Sequence, residues 1–108
     1  MIRKVNLMAH FFYKLVPPRT SFVQDMTADE AAMMGQHAMY WKGRIEGGLK
    51  VFALGPVADP AGVFGMAVVE VESEAAAHEL ARNDPAIAQT QFGFRYEMHP
   101  MPRGVMHS

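Results

Sequence analysis

The stretch VFGMAVVEVE, residues 63–72, decides how the rest of the chain is read. On an extended backbone Met66 and Val68 fall to one side, and Ala67, Val69 and Val71 to the other. Neither side is polar through the middle of the segment, so it reads as a central strand buried on both faces. Upstream, LKVFALGP (49–56) reads as a strand closed by Gly-Pro, and VADPAG turns the chain between the two. Downstream, Ser73 caps a helix over EAAAHELARN. DPAIAQ then forms a short helical turn, with Asp84 as cap and Pro85 at the first helical position. FGFRYEMHPM (92–101) follows as a strand, with Phe92, Phe94, Tyr96 and Met98 on one face and Arg95, Glu97 and His99 on the other. On the N-terminal side, TADEAAMMGQHAMYWKGRIEGG reads as a helix opened by a Thr27/Glu30 capping box and stopped by Gly47-Gly48. Its apolar stripe is Ala31, Met34, Ala38, Trp41 and Ile45. NLMAHFFYKLV (6–16) is the first strand, and PPRTSF forces a loop after it.

The order is strand, helix, strand, strand, helix, strand. This is an α+β pattern: a ferredoxin-like βαββαβ unit, with two helices covering one face of a four-stranded antiparallel sheet. The first and third strands are central in that topology. An apolar sheet face left wet costs about 25 cal/mol per Å², so a second copy of the chain is expected to cover the other face, sheet against sheet, as a homodimer.

At 108 residues the chain fits one domain, 1–108. Apolar residues make up 50%, charged residues 19%, and the net charge is −1, a balance that gives nucleic acid no field to follow. With no cysteine, disulfides, thiolate zinc sites and cysteine nucleophiles are excluded. Asn6, His10 and Lys14 interrupt the apolar N-terminal run, and no segment approaches the ~20 apolar residues of a membrane span. A cytoplasmic protein with no membrane partner is expected. The ten methionines are core filler or an adaptable lining for an apolar pocket.

Few residues offer chemistry. His37 lies at the border of the helix stripe, where partial desolvation suits a general base; a border histidine bonded to a backbone carbonyl is the plainer alternative. A metal site is disfavoured, because Tyr40 and Trp41 occupy the positions one turn on from His37. His10 and His99, with Arg95, share the far face of the sheet, either lining a dimer interior or as ordinary polar groups. Asp84 has an ordinary use as a helix cap and a second use, orienting a histidine. Ser21, Ser73 and Ser108 have no nucleophile-elbow context, and no phosphate loop is present.

From Met26 to Met101 the chain resembles the YCII-related domain family. The features that carry the likeness are a helix with a central His before an aromatic pair, GGLKVFALGP, a turn with Asp and Gly, a strand ending in EVES, then NDPA and a closing His-Pro-Met. The resemblance implies a ferredoxin-like dimeric α+β barrel and a His–Asp pair in a pocket between helix and sheet, which transfers to His37 and Asp84. Many relatives carry an arginine shortly before the histidine; Met33 and Met34 stand there in this chain, and Arg19 could swing into the pocket instead. Some relatives eliminate chloride from chlorinated aromatic breakdown products, while others have no assigned chemistry.

The expected function is therefore that of a small-molecule enzyme, a lyase of dehydrochlorinase type or an isomerase, working without a cofactor or metal. His37 would be the base, Asp84 would fix its tautomer, and Met34, Tyr40, Trp41 and Phe52 would shape the pocket. A non-catalytic dimeric module that binds a small metabolite is the alternative, and a surface-acting assembly module without a pocket is a third.

Overall fold

The computed structural model describes residues 8–102. Asn6 and Leu7 of the first expected strand, the tail beyond residue 102 and Ser108 lie outside the described residues. The elements are β1 (Ala9–Val16), α1 (Phe22–Asp25), α2 (Ala28–Glu46), β2 (Lys50–Val57), β3 (Phe64–Val71), α3 (Glu74–Arg82), α4 (Pro85–Ala88) and β4 (Arg95–Pro100). The sheet has the order β2-β3-β1-β4, and its three pairings are all antiparallel. This is the ferredoxin-like topology, with β1 and β3 central.

Register explains why the two central strands look so apolar. Phe11 pairs with Val69 and Tyr13 with Ala67, and these four side chains are buried on the inner face. Phe12 pairs with Val68 and Lys14 with Met66 on the outer face, where each is partly exposed. The helices lie over the inner face: Trp41 of α2 meets Tyr13 edge-on at 5.9 Å, and the Tyr13 hydroxyl donates to the Ala77 carbonyl of α3. Phe11, Tyr13, Trp41, Val69 and Leu80 join in one core cluster. Leu15, Met33 and Ala86 form a second, smaller one. Both are anchored on inner-face strand residues.

The helix ends follow their sequence signals. Thr27 and Glu30 form the reciprocal capping box, and Ser73 accepts from the Ala76 N–H. Past α2, Gly48 takes φ 110°, a left-handed conformation that a side chain would strain, and lets the chain turn into β2.

Three local expectations need correction. The fourth strand starts at Arg95 rather than 92: Thr90–Phe92 is a 3-10 turn, and Gly93 at φ 74° swings the chain into the sheet. Within the proline loop the single turn α1 buries Phe22 against Phe94. Finally, the buried line of α2 runs through Glu30, Met33 and Trp41, with Met34, His37 and Tyr40 partly buried, while Ala31, Ala38 and Ile45 are exposed. A stripe drawn through apolar residues alone is rotated away from the true one, because two polar residues, Glu30 and His37, face inward with partners waiting for them.

Candidate functional site

Among the described residues Asp84 is the most deeply placed charged group, with 0% exposure. The Asp-Pro start of α4 fixes it: its Oδ1 accepts the Ala86 N–H at 2.9 Å, and Pro85 sits in the first turn. Tyr96 of β4 donates its hydroxyl to Oδ2 at 2.6 Å, and Trp41 of α2 donates Nε1–H to the same oxygen at 3.0 Å. His37, one helical turn before Trp41, brings Nδ1 to 2.9 Å from Oδ1 and 2.8 Å from Oδ2. Residues 47 positions apart thus meet in one buried hydrogen-bonded group.

The donors settle the protonation pattern. Backbone N–H, indole N–H and tyrosine O–H all point at Asp84, so the carboxyl can only accept and is ionised. Burial by itself pushes the Asp84 carboxyl up, but the hydrogen bond and charge of His37, with Tyr96 and the Ala86 N–H, more than offset it and hold the group below the usual carboxylate range. Burial, and then the neighbouring Asp84 charge, push the Tyr96 hydroxyl far up, so it stays a proton donor. In its neutral form His37 donates from Nδ1 to this carboxylate, and Nε2 is then a lone pair with no protein partner among the described residues.

His37 stands in the wall of a cavity of about 640 Å³ between α2 and the sheet. Met34, Trp41, Leu15, Phe22 and Leu54 supply much of the lining, together with Tyr96. Asp84 does not reach the cavity and sits behind His37, sealed from it. Of the other sequence-chosen pocket residues, Met34 and Trp41 are in the wall, and two are elsewhere. Tyr40 turns toward α3 and donates its hydroxyl to the Leu80 carbonyl at 2.7 Å. Phe52, at a register shift in β2, faces the outer side of the sheet, 5.8 Å from the His10 ring and under the Lys50 ammonium. Spacing along α2 does separate Tyr40 from the line through Met34, His37 and Trp41, and strand alternation puts Phe52 beside Lys50 rather than Val51. Tyr96 was missed as a site residue; its place on the inner aromatic row was the available signal.

Arg19 is not free to enter the cavity. Its guanidinium holds Glu30 through two bonds of 2.8 and 2.7 Å and Asp25 at 2.7 Å. On the outer face His10 Nε2 is 3.0 Å from Glu70, and His99 packs near Phe12. Arg95 donates to Glu97 at 3.0 Å. Among the described residues no three His, Asp or Glu side chains group as a metal would need, and no helix is long and apolar enough to cross a membrane.

Compared with known proteins, residues 13–101 match the family model of the YCII-related domain. The match takes in β1 from Tyr13, so it begins earlier than the motif-level likeness from Met26. No curated protein matches the chain.

Proposed function

The chain belongs to the YCII-related domain family, and from that membership together with the His37–Asp84 geometry we propose that it is a small-molecule enzyme for cofactor-free elimination or isomerisation. One observation carries the reading: His37 Nδ1 lies 2.8 Å from a wholly buried, four-times-bonded carboxylate, while the same ring borders an apolar cavity. His37 Nε2 takes a proton from a substrate carbon. Asp84 keeps the proton on Nδ1 and stabilises the imidazolium that forms. In an elimination, the C–H pair becomes the new double bond and the leaving group departs with its own pair; in an isomerisation, Nε2 returns the proton to another carbon. Met34 and Trp41 hold the substrate against the ring. Tyr40 and Phe52 have no part in it.

The same reading takes the protein as a homodimer closed over the outer sheet face. Phe12, Phe52, Met66 and Val68 support this, since all four are partly exposed on the side the helices leave open. A dimeric mass by sedimentation, reduced to a monomer by Val68→Glu, is expected; a monomer at micromolar concentration would remove this part.

Proton abstraction is tested without knowing the substrate. A panel of aryl-substituted β-diketones in D2O is followed by NMR for loss of the acidic C–H. Wild type should accelerate exchange of at least one compound, and His37→Ala should lose about 10²- to 10⁴-fold of that acceleration, the usual contribution of a positioned base. Equal rates for the two proteins would overturn the base.

A further inference from the structure

The charge and polarity of the cavity identify the class of molecule it takes. Four of the six large apolar side chains that stand exposed among the described residues, Val23, Met26, Ile45 and Leu54, are all at this one cavity. Exposed apolar side chains gathered at one opening mark a binding surface for something apolar. Inside, the walls continue with Phe22, Trp41 and Phe94. The charged residues of the lining are Lys42 and Glu46, one turn apart on α2, and their formal charges cancel. No arginine is in the wall, and Arg19 is committed to Glu30 and Asp25. For a carboxylate or phosphate entering here the lining's cation, Lys42, is solvent-exposed and offset by Glu46 one turn away, so little repays the hydration lost. The cavity volume of about 640 Å³ falls in the range of about 300–1,000 Å³ that accepts a drug-sized molecule.

Apart from the offsetting pair Lys42 and Glu46, the polar group that matters in this wall is His37. In the neutral ring, with Nδ1–H tied to Asp84, the nitrogen left for a ligand is a lone pair. A ligand that satisfies it must bring its own donor. We propose that the cavity takes an uncharged hydrophobic molecule carrying one hydroxyl of phenol or enol type, which donates to His37 Nε2. This deepens the reading of His37 as a base and rests on it: a neutral enolisable carbon compound meets both requirements.

The test uses two probes of one skeleton, 4-cyclohexylphenol and 4-cyclohexylbenzoate, titrated by calorimetry into the whole protein at about pH 7.5, where the phenol is neutral and the benzoate ionised. The phenol should bind at least about tenfold more tightly, and His37→Phe should reduce that preference to within about threefold. Benzoate bound as tightly as the phenol, or more so, overturns the assignment, and the wild-type ratio alone decides this should the variant fold poorly. A preference that His37→Phe leaves intact overturns it too. So does the absence of binding by either probe; a dimer broken by Leu54→Glu would then give the opening to a second copy. Exchange of carbon-bound hydrogen in D2O reads proton abstraction and not selectivity, so the base and the ligand class can fail separately.

Discussion

Asp84→Ala removes the centre of the hydrogen-bonded group, and the structure sets the size of the loss. Four donors lose their acceptor: His37 Nδ1–H, Trp41 Nε1–H, Tyr96 O–H and the Ala86 N–H. Two can recover. His37 is partly exposed and can turn toward the cavity or change tautomer, and the Tyr96 hydroxyl can rotate. Trp41 keeps only its longer bond of 3.2 Å to Tyr96, and the Ala86 N–H is left with nothing. A buried donor left unmatched costs about 1–3 kcal/mol, and the small cavity left by the carboxyl adds to that. A total near 4 kcal/mol is expected, a large share of the roughly 5–15 kcal/mol that stabilises a domain of this size. Asp84→Asn keeps one acceptor oxygen but turns an amide N–H₂ toward donors, so a loss of about 2 kcal/mol is expected. Urea unfolding reads both, with Trp41, the single tryptophan of the chain, as a fluorescent probe inside the group itself. With a slope of about 2 kcal/mol/M, Asp84→Ala should shift the midpoint down by about 2 M and Asp84→Asn by about 1 M. Shifts below about 0.3 M for both would refute the claim that the carboxylate is the hub of this part of the core.

Other substitutions probe separate links. Tyr96→Phe deletes the 2.6 Å bond to Asp84 and should destabilise by about 1.5–3 kcal/mol, the range for bonds to charged groups; no change in urea midpoint would count against a donating hydroxyl. Thr27→Ala loses the cap of α2 and should cost about 1 kcal/mol in the same assay. The Arg19 guanidinium, and then the Thr27 backbone N–H, hold the Glu30 carboxyl down to about 2. Because that value lies below the unfolded one of about 4.3, the unfolded state binds more protons across this window, so the stability Glu30 contributes is present above about 4.3 and is lost as pH falls toward 2. Glu30→Gln should flatten stability against pH between those limits, and an unchanged slope would contradict the Arg19 pairing.

The fold was legible because its signals are local and repeated. The two-sided apolarity of residues 63–72 marks a central strand, and the Thr27/Glu30 and Asp84-Pro85 signatures mark helix starts, each needing only a few neighbouring residues. The candidate pair was less legible. Spacing could bring His37 to a buried border, but nothing along the chain says that α4 delivers Asp84 to it; that came with the family likeness. The misplaced residues fail for physical reasons. Apolar positions alone misplace the α2 stripe, since Glu30 and His37 turn inward because Arg19 and Asp84 satisfy them. Aromatic character alone points to Tyr40 and Phe52, but the direction in which each side chain leaves its element sends it elsewhere. Tyr96 went unnoticed because its role depends on a contact twelve residues back that no periodicity encodes.

The most direct measurement is the tautomer of His37, read by long-range ¹H–¹⁵N correlation on protein labelled at histidine nitrogens. At about pH 8 the Nδ1 should carry the proton, with a slowly exchanging resonance that disappears in Asp84→Asn, and Nε2 should show the shift of a bare nitrogen. A proton found on Nε2, or an even mixture of the two forms that Asp84→Asn does not alter, would mean that the carboxylate does not set the ring and that no base is poised at the cavity.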